Sequence, residues 1–248
     1  MSPYASILAA PRPSPWAPVT VPGRLTMVSG PRGTMRAFGQ ELAHDAVHRT
    51  PGTVLWCDGD HGFDPYDFAE LNMARGHDAE HGAERVLVKR CMTPFQWDTV
   101  LTKHLDAKLM ETSVSLVLAQ PYEALFSTDE LKDWEQEDYV RYSLAHLRGL
   151  ARRHDVPVLL SVDMHAWWRS HPSLATMAHD AVDAKWAVLR AGEGWRVVPS
   201  MPGAPEILAR GGATRQLTLH EFGDDGLMEP TPVVRRAGSH ARQLNLRV

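Results

Sequence analysis

LTMVSGPRGTMRAFGQELA, Leu25 to Ala43, is the stretch whose reading decides the fold. A short apolar run leads into a Gly/Pro turn and the opening of a helix. Phosphate-binding loops occupy such junctions, because glycine permits close approach and the amides of a helix N-terminus point at the anion. On the consensus GxxxxGK(S/T), the segment from Gly30 reads GPRGTMRA. Met35 then stands on the second glycine, Arg36 on the lysine, and Ala37 on the hydroxyl residue that would hold Mg²⁺. Alone, the segment is first a plain strand–turn–helix, and the rest of the chain has to decide.

On either side, apolar runs alternate with amphipathic stretches. Strands are expected at Leu25 to Ser29, Thr53 to Asp58, Arg85 to Arg90, Ser115 to Gln120, Pro157 to Asp163, Ala184 to Arg190 and Trp195 to Pro199. Helices are expected at about Met35 to His48, Pro65 to Arg75, Pro94 to Glu111 and Glu135 to His154. Continuous apolar runs such as SLVLA and VPVLLSV, with helices between them, predict a parallel sheet covered on both faces. The later short strands and Gly/Pro turns predict antiparallel strands added at one edge. The expected architecture is therefore α/β, a three-layer αβα fold over residues 24–230.

Residues 1–23 carry Pro3, Pro11, Pro13, Pro15, Pro18 and Pro22, which remove backbone donors and favour extended geometry. They are expected to form an arm outside the core, with Ile7 to Ala10 docking on a neighbouring subunit or on the same domain. Residues 231–248 form a basic tail with Arg235, Arg236, Arg242 and Arg247 and no acidic residue, a solvated segment or a nucleic-acid contact.

The 248 residues suffice for one α/β domain or two small ones. With 44% hydrophobic and 23% charged residues and a net charge of −4, nucleic-acid binding would have to come from a local patch. Cys57 and Cys91 lie in apolar runs and are expected to be buried free thiols, in keeping with a reducing compartment. No apolar run reaches the roughly 18 residues of a membrane helix, and the N-terminus has no signal-peptide pattern. The expected setting is cytoplasmic, without a membrane partner.

After the second expected strand, CDGDHGFDPYDF places Asp58, Asp60, Asp64 and Asp67 at the carboxyl end of the sheet, where open α/β folds bind ligands. The spacing lacks the glycine and bidentate glutamate of a calcium loop. Thirteen histidines invite a metal-dependent hydrolase as the rival enzyme class, through His61 beside Asp58 and Asp60, or His165 near Asp163. No HxxxH or HExxH spacing on a helix is expected to support a tight site, and solvent-exposed histidine is the plain interpretation for most of them.

Taken in order, these segments resemble the core domain of the RecA/RadA-type recombinases, the archaeal and eukaryotic branch in particular. The family's P-loop strand and helix correspond to TMVSGPRGTMRAFGQELA. Its D-T-E-G-x-F signature corresponds to Asp58 through Phe63, followed by Pro65 and Phe68. Its Walker B strand, continuing as D-S-x-x-A-L-(Y/F), corresponds to LVLAQPYEALF, with Gln120 and Pro121 for the Asp and Ser and Ala124, Leu125 and Phe126 in register. The strand ending in the T-N-Q sensor corresponds to VLLSVDM, with Val162 and Asp163 in the last two places. The closing hairpin is similar to WAVLRAGEGWRVVPSMPGAPE. The resemblance spans about residues 20–230.

The resemblance implies a RecA-like P-loop fold, and the departures fall on its catalytic groups. Arg36, Ala37, Gln120 and Asp60 stand where the family has the phosphate-binding Lys, the Mg²⁺-binding Thr, the Walker B Asp and the water-positioning Glu. Together with Gly30, Gly33, Thr34 and Asp163 they outline a degenerate nucleotide site, expected not to hydrolyse ATP, with binding without turnover left open and no other cofactor implied. The family's DNA-facing loops correspond to Ser127 to Gln136, which is acidic, and to HAWWRSHPSLATMAH, His165 to His179. In the second, Trp167, Trp168 and Arg169 suit base stacking beside a phosphate, or a protein interface. These three, with Arg235 and Arg236, are the candidate DNA- or partner-binding residues. The implied role is a non-hydrolysing recombinase paralogue in DNA recombination or repair, whose partner is single-stranded DNA, an active recombinase or a further copy of itself. The alternative is an interaction protein that reuses the fold without a DNA role.

Overall fold

Runs of Val, Leu and Ile that are apolar on every residue can be buried only if both faces of a sheet are covered. The structure, a computed structural model, describes residues 14–126, 131–192, 194–200, 206–210 and 213–217. Among these residues nine strands form one sheet in the order β3-β2-β4-β5-β1-β6-β7-β8-β9. They are β1 (Leu25–Ser29), β2 (Thr53–Asp58), β3 (Val86–Arg90), β4 (Val114–Gln120), β5 (Val158–Val162), β6 (Ala184–Ala191), β7 (Gly194–Pro199), β8 (Glu206–Arg210) and β9 (Ala213–Leu217). The first six run parallel. The last three continue as an antiparallel meander, as expected for the C-terminal edge.

The two-residue period of a strand divides the core between the layers. Leu25, Met27, Leu55, Cys57, Val117, Ala119, Val158, Leu160 and Val162 pack towards α3 (Pro94–Thr99), α4 (Asp106–Glu111), α5 (Asp133–His154), α6 (Met164–Ser170) and α7 (Pro172–Ala181). The alternate residues Val28, Val54, Trp56, Leu116, Leu118 and Leu159 pack towards α1 (Arg32–Arg49) and α2 (Pro65–Ala74). The three-layer α/β fold is thus present. Cys57 and Cys91 are free and buried, and burial pushes the Cys91 thiol up to about 11. Among the described residues no helix is long and apolar enough to cross a membrane.

Three expectations change. The helix expected over Pro94 to Glu111 is α3 and α4 joined by a π-helical stretch, Val100–Leu105. Its wider turn brings Val100, Leu101 and Leu105 all into the core. The segment 165–179, expected to be a loop, is mostly two helices. Asp163 caps the first by accepting the Ala166 N–H at 3.0 Å, Pro172 opens the second, and Leu174, Ala175 and Ala178 bury its inner face. The Pro-rich arm, expected to lie outside the core, joins it at its C-terminal end. Trp16 and Val19 are buried, and the Trp16 ring meets Phe38 edge-on at 5.1 Å, which in turn meets Trp195 at 5.4 Å. Residues 1–13, with Ile7 to Ala10, and the tail 231–248, with Arg235 and Arg236, lie outside the described residues.

Removing a buried tryptophan leaves a cavity as well as losing transfer free energy. Trp16→Ala is expected to lower stability by about 3 kcal/mol in urea melts. An unchanged midpoint would mean that the arm does not dock.

Candidate functional site

Strands β1, β2, β4 and β5 end side by side, Ser29 against Val162 and Asp58 against Gln120. The turns that leave them gather Gly30, Gly33, Thr34, Arg36, Asp60, Gln120 and Asp163 at the carboxyl edge of the sheet. This is the usual ligand position of an open α/β sheet.

The local geometry is not that of an anion cradle. Only Gly30 and Pro31 separate β1 from α1, so Gly33, Thr34 and Arg36 lie in the first helical turns and not in a loop. Gly30 is required by crowding: a Cβ there would stand 2.6 Å from the Val188 carbonyl oxygen and 3.0 Å from the Met35 Sδ. Met35 turns inward and is buried. Its carbonyl accepts a hydrogen bond from Gln120 Nε2 at 2.5 Å. Gly39, one turn further on, lets α1 press against the same Gln120 side chain. Between Met35, Arg36, Asp60, Gln120 and Asp163 the remaining cavity is about 10 Å³, room for about one water.

The exposed amides of the helix N-terminus meet an internal anion. Asp163 Oδ2 accepts the Arg32 N–H at 3.3 Å, while its Oδ1 caps α6. The cationic side chains are engaged as well. Arg32 Nε donates to Asp60 Oδ2 at 2.7 Å, and Arg36 lies 4.0 Å from the same oxygen.

The neighbouring acidic loop is ordered from within. Asp58 is fully buried. Its oxygens accept the N–H groups of Gly62 at 2.7 Å and of Asp60 and Phe63 at 3.3 Å, with Arg90 at 3.9 Å. Asp64 caps α2 through the Tyr66 N–H, and Asp67 sits in that helix's first turn. Four carboxylates close in sequence therefore divide between a loop brace, an ion pair and a helix start. Among the described residues, the His, Cys, Asp and Glu groups close enough to share an ion are His44, His48 and His77. His61 and His165 are not brought into such a group.

Sequence reasoning missed Glu123, in a 3₁₀ turn after β4. Its Oε1 accepts the Asp163 N–H at 3.0 Å. Burial pushes its carboxyl up to about 7, against the pull of that amide and of Arg32 and with the push of the Asp163 charge. Its position among apolar neighbours in QPYEALF was the available signal. Beside it lies a cavity of about 290 Å³ lined by Arg32, Glu123, Asp163, Trp167 and Ser170 among others.

The two adjacent tryptophans part company. Trp167 is buried and meets Tyr122 edge-on at 5.9 Å, whereas Trp168 is 40% exposed and Arg169 is on the surface. Helical geometry points successive side chains about 100° apart, so Trp167 packs inward while Trp168 stays at the surface.

No protein-family model matches the chain, and no curated protein matches it.

Glu123 supplies a pH test. Its folded carboxyl holds the proton more tightly than the unfolded one, so its contribution is fully present below the ordinary value of 4.5 and is lost as pH rises through about 7. Glu123→Gln should keep the acceptor oxygen and remove the titration. Relative to wild type, the variant is expected to gain on the order of 2 kcal/mol between about pH 5 and about pH 8 in urea melts. A difference independent of pH would show a solvated carboxyl.

Proposed function

We propose that this protein is a RecA-type recombinase paralogue that does not hydrolyse ATP and serves DNA recombination or repair as an accessory. The resemblance of the segments in order supports the family reading, and the closed junction of β1 and α1 supports the absence of hydrolysis. A nucleotide there would have to displace the Asp163 carboxylate and separate Met35 from Gln120. Its phosphates would then face the Asp60 and Asp163 carboxylates, a repulsion against which Arg32 and Arg36 are already engaged by Asp60. Losses that act together on one phosphoryl-transfer site lower turnover by orders of magnitude.

With ATP and Mg²⁺ the purified protein is expected to release phosphate no faster than buffer. Mg²⁺-dependent turnover that disappears in Arg36→Ala would overturn the proposal. A melting temperature raised by ATP without turnover would keep nucleotide as a bound ligand only.

The burial of Trp167 favours protein contact as the accessory's mode of action, since it halves the aromatic surface offered to bases. Exposed Trp134, Phe95 and Tyr142 on α5 and α3 supply apolar surface of the kind found at interfaces. Trp168→Ala with Arg169→Ala, which leaves Trp167 in place, separates the two modes. If DNA is the partner, single-stranded DNA affinity should fall about tenfold, the scale of one lost stacking contact. An unchanged affinity, or no salt-dependent DNA retention in the parent, assigns the surface to a protein partner.

A further inference from the structure

Two five-residue segments, HDAVH at His44 to His48 and HDAEH at His77 to His81, place histidines four residues apart. The first lies within α1, where that spacing puts both rings on one helix face. The second forms the turn that follows α2, and the packing of α2 on α1 brings it over the first. His44 and His48 have ring centroids 4.2 Å apart, and His77 stands 5.5 Å from His44 and 3.9 Å from His48. One ring nitrogen from each of these three lies within 4.8 Å of the others. His81 stands alongside, 5.0 Å from His48 and 5.9 Å from His77.

Two further observations point to a ligand. His44 Nε2 is buried and has no hydrogen-bond partner among the described residues, a lone pair or proton left without a purpose in the protein alone. His48 is oriented by a neighbour in the way metal-bound imidazoles are. Asn72 is fully buried, and its Nδ2 donates to the carbonyls of Ala79 at 2.8 Å and His81 at 3.0 Å. Its Oδ1 must therefore accept from His48 Nε2, at 3.0 Å. That fixes the proton on Nε2 and leaves Nδ1 as a free donor atom, the arrangement of an outer-shell partner at a metal site.

We propose that His44, His48 and His77 form a binding site for a divalent transition-metal ion, with Zn²⁺ the best fit, which clasps α1 to the turn between α2 and β3. Imidazole donors suit Zn²⁺, Cu²⁺ and Ni²⁺, and a set without thiolate or carboxylate disfavours Mg²⁺ and Ca²⁺. Tetrahedral Zn–N bonds of about 2.0–2.1 Å put coordinated ring centroids about 5 Å apart, within the range spanned by these rings. His48 and His77 now lie stacked at 12°, so the ion requires His77 to turn edge-on, and its exposed position on a turn allows that. Nearby cations are already paired, Arg75 with Glu41 at 2.7 Å and Arg49 with Asp45.

The test uses untagged full-length protein stripped with chelator and titrated with ZnCl₂ by calorimetry, followed by thermal melts with and without the ion. Binding of about one equivalent and a raised melting temperature are expected, with tetrahedral d–d bands when Co²⁺ replaces Zn²⁺. His77→Ala, at an exposed position where folding is not at risk, should weaken Zn²⁺ binding at least about tenfold. His104→Ala, on the π-helical stretch, should leave it unchanged. Absence of stoichiometric binding, or equal binding and stabilisation in His77→Ala and wild type, would overturn the proposal.

Discussion

A single carboxylate at the end of β5 steadies the start of two helices. Asp163 accepts N–H groups from the first turn of α1 and from the first turn of α6. It does so where both helices present unsatisfied donors and the positive end of the helix dipole. Because α1 is drawn in at that point, Met35 comes down onto Gly30 and its carbonyl reaches Gln120. Glu123 in turn binds the Asp163 amide, so the ends of β4 and β5 and the root of α1 form one hydrogen-bonded unit. The carboxyl edge of the sheet thus answers its own donors with its own acceptors.

Charge follows the same pattern. Asp58 is ringed by three backbone amides and approached by Arg90; Asp60 is met by Arg32 and Arg36. An incoming anion meets cations that already have partners, and an incoming cation meets an Asp58 whose oxygens already accept hydrogen bonds. Burial pushes the Glu123 carboxyl up to about 7, outweighing the amide and the arginine that would ionise it.

Much of this architecture was legible in the sequence. Strands β1, β2, β4 and β5 announced themselves because two-sided burial demands apolar residues at every position, and the turns between them placed Gly30, Asp60, Gln120 and Asp163 at one edge. Helices α6 and α7 were not recognised: HAWWRSHP carries residues that suit a binding loop, and the capping Asp163 and opening Pro172 were outweighed by that composition. Trp16 was hidden in a proline-rich context, since nothing in the arm itself specifies Phe38 as its partner. The expectation that no HxxxH spacing falls on a helix was wrong, since His44 and His48 stand four residues apart on α1, and the approach of His77 to them depends on the packing of α2 against α1.

The two-residue passage from β1 to α1 has one further consequence. A phosphate cradle is a matter of path length, since several residues must swing outward and return before the helix begins. Here the backbone enters the helix at Arg32, so glycine, lysine and threonine at Met35, Arg36 and Ala37 would stand on helical backbone, the first of them in the buried position that Met35 fills. What separates this junction from a nucleotide loop is the early start of the helix: all eight positions of the consensus are present, but those from Arg32 onward are wound into α1.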